Sequence, residues 1–465
     1  MLESLHESCG VFGVYAPGED VSRITFFGIF ALQHRGQESA GIATADGSRI
    51  RLHTAMGLVS QVFDEPDLER LSGHIAIGHT RYSTTGSSRA ANAQPILVQG
   101  PWGPLALAHN GNIVNVLELR TELQEQGVEF RTTTDSEVVA WLLATAPGKT
   151  WQERIRYMMG RLKGAYSLVV LTTDTLMAIR DPLAVRPLCV GQFNSGWAVA
   201  SESCALDHLG VRIDHEVAPA QAVVIDGDGP VWFQAAQSVR RASCVFEQIY
   251  FSRPDSRDGE ALIYQSREAM GARLAIEHPV DADLVTGIPD SATAAGLGYS
   301  RQSGITYSEI LIKNRYVGRT FIQPDQRLRD LGVRLKFNPL VEVLQGKRIV
   351  VVDDSIVRGT TTPHVVGLLR RAGAKEIHMR VCAPPIRWPC HFGVDMATRG
   401  ELIAAQKSIE EIRRFIGADS LGYLSIEGLT GAIGGKNGKH CMACFTGKYP
   451  IPVQLELDKF VLETV

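Results

Sequence analysis

The segment that most limits what this chain can fold into is Arg348-Ile-Val-Val-Val-Asp-Asp-Ser-Ile-Val-Arg-Gly-Thr-Thr361. Its β-branched run has no polar alternation, so it reads as a strand buried on both faces. Two aspartates and a turn of small residues follow, and a helix opens at Pro363 and runs to Ala372. A strand of that kind belongs in a parallel sheet with crossover helices. A second unit repeats the pattern: the short strand Asp283–Thr286, the turn Gly287-Ile-Pro-Asp-Ser291, and a helix from Ala292 onward. The amides and hydroxyls of Ser355 to Thr361 can form an anion nest at a helix N-terminus, sized for a monophosphate. Asp353 and Asp354 then come within reach of two vicinal sugar hydroxyls.

The first half is organised differently. Short β-rich runs (Val11–Tyr15, Ile75–His79, Leu105–His109, Ser167–Leu171) alternate with glycine-bearing turns, which predicts packed sheets. Glu118–Gln126 has helical spacing, and Asp135-Ser136-Glu137 supplies N-cap chemistry for a helix over Val138–Ala146, stopped by Pro147-Gly148. The pattern changes after Arg240-Arg241, so a boundary is expected near residue 240. With 465 residues, two domains are the natural expectation. A net charge of −3 provides no global field for nucleic acid or an anionic membrane, so an anionic substrate must be held by local groups. The opening MLESLHES has no signal-peptide run, and the longest apolar stretch, Val138–Ala146, is too short to span a bilayer; the expected location is cytoplasmic. Eight cysteines are too few for a disulfide scaffold.

Cys9, in Ser8-Cys9-Gly10-Val11-Phe12-Gly13, could be a plain buried hydrophobe. Its company argues otherwise. His79-Thr-Arg-Tyr-Ser-Thr-Thr-Gly86, His109-Asn-Gly-Asn112 and Thr133-Thr-Asp135 each place polar groups or glycine amides beside a predicted strand end. If residues 1–8 were removed, Cys9 would carry an α-amine of pKa about 7.7–8.0, a general base for its own thiol. Asn110 and Gly111 suit an oxyanion hole, Arg81 a substrate carboxylate, and Asp135 an α-ammonium. A molecule with a carboxylate, an ammonium and a cleavable amide is glutamine.

These strings resemble the class II glutamine amidotransferases, members of the N-terminal nucleophile hydrolases. The resemblance covers about residues 9–235 and implies an αββα sandwich. VVVDDSIVRGTT is similar to the phosphoribosylpyrophosphate (PRPP) motif of type I phosphoribosyltransferases, implying an α/β domain over 245–465. That likeness implies PRPP contacts from Asp353, Asp354, Ser355, Arg358, Gly359, Thr360 and Thr361, and Mg²⁺, one per subunit, at Ser291, Asp353 and Asp354. Lys313-Asn-Arg-Tyr-Val-Gly-Arg-Thr320 reads beside such a site as a lid whose Lys313, Arg315 and Arg319 neutralise pyrophosphate. Both halves together resemble the glutamine PRPP amidotransferases, with CVFEQIYFSRPDS and KNRYVGRTFI as further matching strings. The resemblance implies formation of 5-phosphoribosylamine, feedback by purine nucleotides, and a homo-oligomer, a homotetramer in the family. Thr362-Pro363 departs from the family pattern, where a small polar residue and then a basic one are expected.

Cys441-Met-Ala-Cys444 has the short gap of a thiolate site, shared by zinc, iron–sulfur and redox pairs. In the cluster-bearing, self-processed branch of the family the matching ligands are Cys244, Cys390, Cys441 and Cys444. The resemblance therefore implies one [4Fe–4S] cluster per subunit, with zinc as the alternative, and removal of a leader at residues 1–8. Cys189, Cys204 and Cys382 read as core residues.

Overall fold

The computed structural model describes residues 9–82, 87–194, 196–238, 240–314, 337–396, 398–434, 439–452 and 461–463. The first half stacks a seven-stranded sheet on a six-stranded one, with every pairing antiparallel. The strand Gly10–Tyr15 lies at the centre of the first sheet, between Gly196–Ala200 and Ile75–Arg81. Its side chains alternate. Val11 joins a layer with Ile77, Ala106, Ala108 and Val169 between the sheets, while Phe12 and Val14 face outward onto Ile29 and Leu32, at and just beyond the C-terminal end of helix Val21–Ala31. Helices Val116–Glu125, Asp135–Ala144 and Trp151–Arg161 cover the outer face of the second sheet through Val138, Leu142 and Ile155. The result is the αββα sandwich that the opening motifs imply.

In the second half four strands, Leu284–Gly287, Arg348–Asp353, Glu376–Val381 and Ser420–Tyr423, run parallel in that order. Val350 and Val352 face one core, with Met270, Leu274 and Tyr299, and Ile349 and Val351 face another, with Val365, Leu369 and Ile412. The continuous β-branched run is thus buried on both sides. The first of these cores also contains Ala165 and Val185 of the sandwich, so apolar packing continues across the seam between the halves. Among the described residues no helix is long and apolar enough to cross a membrane.

Four local expectations are corrected. The strand expected over Leu105–His109 runs Gly103–Ile113, because Asn110 pairs with Ser167 and Gly111 with Tyr166 on the neighbouring strand; ladder pairing outweighs the poor strand propensity of Asn and Gly. Ile75–His79 likewise extends to Arg81. Asp135 does not cap its helix: Thr134, in extended backbone, accepts the Glu137 amide at 3.4 Å, and Asp135 is the first helical residue. That frees the Asp135 carboxylate to face inward. The helix after the anion-nest loop opens at Thr362, with Pro363 in its first turn, so the departure at Thr362-Pro363 suits the backbone there.

Thr134→Ala should destabilise the protein by about 1 kcal/mol, while Thr134→Ser keeps most of the cap. Chemical unfolding midpoints of the two variants check this, and equal midpoints would remove the cap's assigned role.

Candidate active site

Cys9 precedes the central strand of the first sheet and is 7% exposed. Its Sγ donates to the Tyr82 carbonyl at 3.2 Å, and its own carbonyl accepts from Arg35 Nε at 3.1 Å. Burial, the dominant influence, pushes the thiol above its ordinary range. One small cleft is lined by Cys9, Arg81, Gln94, His109, Gly111 and Asp135, together with Tyr82, Thr134 and Ser136. The two sheets supply opposite walls: Cys9 and Arg81 come from the first, His109 and Gly111 from the second. His79 Nε2, 3.1 Å from the His109 carbonyl, ties the sheets together at this point.

Asp135 Oδ2 accepts the Ile113 amide at 3.0 Å and lies 3.7 Å from His109 Nδ1. Burial works to raise this carboxyl, but His109 and the amide outweigh it and hold it below the usual range. Arg81, 2% exposed, donates to the Ser87 carbonyl at 3.3 Å and sits 3.8 Å from Glu38. Asn110 is fully buried, yet neither atom of its side-chain amide has a hydrogen-bond partner among the described residues. Such an orphan costs free energy unless a ligand uses it. Gly111 has φ +155°, and a Cβ there would lie 2.0 Å from the Ala165 carbonyl oxygen, so only glycine fits. The leader, and Ser83 to Gly86 of the second motif, lie outside the described residues.

A larger cavity, about 290 Å³, opens above the C-terminal ends of the parallel strands. Asp353, Asp354, Ser355, Gly359, Thr360 and Thr361 line it, with Ser291 and Lys313 opposite. Gly359 turns the loop at φ +74°. Asp354 accepts hydrogen bonds from Ser355 Oγ at 2.6 Å and from Ser291, and burial raises it against those bonds and the nearby charge of Arg267. Lys313 Nζ lies 2.7 Å from Asp290 Oδ2. Arg358 is held aside. It sits on the same loop but donates to Glu401 from Nε at 3.0 Å and Nη2 at 2.6 Å, and is not part of the cavity wall. Arg315 and Arg319 lie outside the described residues.

Four cysteines meet in a third, apolar cavity: Cys244, Cys390, Cys441 and Cys444, walled by Val185, Phe246, Phe392, Val394, Met396 and Tyr449. Cys244 and Cys441 are register partners in a parallel two-stranded pairing. Burial and the neighbouring thiols push Cys244 up to about 11 and Cys441 to about 12, and Cys444 well above its ordinary range. Among the described residues no three His, Cys, Asp or Glu side chains are placed to hold a single metal ion. Cys189, Cys204 and Cys382 are buried elsewhere in the fold.

The structure adds residues to which the motifs gave no weight. His34, from the sandwich half, lines the larger cavity beside Ser252 and Arg253. Arg35, Arg186, Glu202 and Glu247 form a buried ionic group at the seam. A Leu-Gln-His-Arg-Gly string after a helix carries no signal that separates these from surface charges; charged residues interrupting an otherwise apolar neighbourhood were the one available hint.

A family profile described as a glutamine amidotransferase domain matches residues 79–208. The chain is 51% identical over 467 residues to an amidophosphoribosyltransferase of Synechococcus elongatus, covering 99% of this chain and 95% of that one. It is 50% identical over 452 residues to an amidophosphoribosyltransferase of Archaeoglobus fulgidus, covering 96% of this chain and 98% of the other. Among solved structures it matches the glutamine PRPP amidotransferase of B. subtilis complexed with ADP and GMP, with a TM-score of 0.90, 44% identity, and coverage of 96% and 98%. A structure described as the allosteric regulatory enzyme of purine biosynthesis gives a TM-score of 0.92 at 44% identity, covering 98% of each chain.

Proposed function

The chain belongs to the amidophosphoribosyltransferase family, and on that premise we propose how its own residues divide the work. It is a glutamine-dependent amidotransferase that converts PRPP to 5-phosphoribosylamine, releasing pyrophosphate and glutamate, at the first committed step of de novo purine synthesis. The observation that carries the assignment of sites is the pair of cavities in one chain, a cleft around a buried cysteine and a cavity around paired aspartates.

Cys9 is the nucleophile. Removal of residues 1–8 gives it an α-amine that takes the thiol proton, which matters because burial makes this thiol a reluctant acid. Arg81 binds the glutamine carboxylate and Asp135 its ammonium. The thiolate attacks the amide carbonyl, and the developing oxyanion takes hydrogen bonds from the Asn110 side chain and the Gly111 amide; the orphaned Asn110 amide supports this role. Ammonia leaves, and water cleaves the thioester to glutamate.

In the second cavity Asp353 and Asp354 accept from the ribose hydroxyls, and the loop from Ser355 to Thr361 holds the 5-phosphate. Lys313, Arg315 and Arg319 neutralise the pyrophosphate that ammonia displaces from C1. Ser291, Asp353 and Asp354 fit Mg²⁺, being hard oxygen donors, and a cation there would offset the burial that raises the Asp354 carboxyl. When bound, the ion supplies charge neutralisation to the leaving group. Free ammonia in neutral water is mostly protonated, so transfer runs through an internal apolar passage.

The four-cysteine cavity fits a [4Fe–4S] cluster better than zinc. Burial raises the Cys244, Cys441 and Cys444 thiols, so a highly cationic centre is needed to ionise them, and together with Cys390 they line one apolar cavity. When bound, the cluster ties together three distant stretches of chain. We further assign domains to 9–235 and 245–465, a cytoplasmic location, a homo-oligomer and purine nucleotides as inhibitors; the ADP and GMP of the B. subtilis relative support the last.

Cys9→Ala should abolish glutamine-dependent synthesis yet keep synthesis from concentrated ammonia, measured as pyrophosphate release. Undiminished glutamate formation would overturn the nucleophile assignment. Anaerobically purified protein should carry about four iron and four sulfide per chain, and Cys441→Ser should lose both; stoichiometric zinc without sulfide would replace the cluster with the alternative.

A further inference from the structure

Resting on the reading of Cys9 as nucleophile and of the larger cavity as the PRPP site, we propose that His34 and Arg35 are a positioning relay coupling PRPP occupancy to the geometry of Cys9. The two adjacent residues reach different sites. His34 lines the cavity, while Arg35, fully buried, donates from Nε to the Cys9 carbonyl at 3.1 Å. Both share one oxygen: Glu202 Oε1 lies 2.8 Å from His34 Nε2 and accepts from Arg35 Nη1.

The other holders of Arg35 lead back to the same cavity. Glu247 takes Arg35 Nη1 at 3.0 Å and Nη2 at 2.8 Å, and also accepts from Ser252 Oγ at 2.8 Å. Glu202 Oε2 accepts the Arg253 amide at 2.9 Å and Ser256 Oγ at 2.7 Å. Ser252 and Arg253 both line the cavity. Every carboxylate that fixes the guanidinium is therefore anchored to the acceptor wall, and the planar fork passes a shift in either one to the Cys9 carbonyl.

The two states differ in the partner of His34. In the structure its ring meets Glu202 Oε1 at 2.8 Å. An anionic substrate oxygen in the cavity competes for that ring, and Glu202, having lost one hydrogen-bond partner, holds Arg35 more tightly. This is the differential interaction that a ligand-driven change requires, and water does not screen it because Arg35 and Glu202 are closed off from solvent. Arg35 touches no substrate; it sets the backbone from which the nucleophile projects.

The test compares wild type, Arg35→Lys and His34→Gln. For each, glutamate release is measured with and without PRPP across glutamine concentrations, alongside pyrophosphate release driven by ammonia. Lysine keeps the charge but cannot serve the Cys9 carbonyl and both carboxylates. Arg35→Lys should lower kcat for glutamine hydrolysis roughly tenfold or more, the scale of one lost charge-assisted hydrogen bond, with KM for glutamine and the ammonia reaction within about twofold. His34→Gln, on the cavity wall and so less dangerous to folding, should bring the fold-stimulation by PRPP down toward one. Parallel loss of both reactions in Arg35→Lys, or loss of neither, would reduce Arg35 to a structural tie and overturn the proposal. So would wild-type stimulation in His34→Gln. Failure of the functional reading itself is distinguishable, because wild type would then release no glutamate in response to PRPP.

Discussion

The Glu247 carboxylate lies at the seam between the halves with guanidinium groups on both sides: Arg35 at 2.8 Å and Arg186 at 3.2 Å, all three nearly closed to water. Burying such charges costs several kcal/mol per ion, and an apolar replacement of the same volume is often as stable. What the ions contribute is register. Arg35 and Arg186 offer donors at fixed angles, so the sandwich can dock on the parallel-sheet half in one orientation. Removal of one partner strands a buried charge, which costs about 3–5 kcal/mol. Cys9 hangs from Arg35, and the Ser252–Arg253 wall hangs from Glu247 and Glu202.

Arg186 also reaches the cysteine segment, donating to the Phe392 carbonyl from Nε at 3.2 Å and Nη2 at 2.9 Å. Asn112 Nδ2 donates to the His391 carbonyl at 3.0 Å, and a Cβ on Gly393 would lie 3.0 Å from the Gly111 backbone. The segment that begins with Cys390 is therefore laid directly against the strand that carries Asn110, Gly111 and Asn112.

Much of this was legible in the chain itself, for stated reasons. The Arg348–Asp353 strand announced itself because burial on both faces leaves no polar alternation, and the αββα sandwich was implied by the family that the Cys9, His79, His109 and Thr133 strings resemble. Other features were not legible. Asn110 and Gly111 have poor strand propensity, and only pairing with Ser167 and Tyr166 makes them part of a strand. Asp135 resembles a cap, and only the backbone decides that Thr134 has that task. The pairing of Arg358 with Glu401, 43 residues away, leaves no mark in the sequence. The seam residues were invisible because burial of an arginine depends on partners up to 212 residues distant.

The central claim is that the two cavities perform one reaction, with the ammonia kept inside the protein. The most direct test supplies glutamine labelled with ¹⁵N at its amide, together with PRPP and an excess of unlabelled ammonium at neutral pH, and follows the isotope in the 5-phosphoribosylamine formed. Nearly full retention of ¹⁵N, with one glutamate appearing for each pyrophosphate, is the predicted result. Dilution of the label to the isotopic composition of the solvent ammonium would mean that ammonia escapes between the sites, and the account of two coupled cavities would fail.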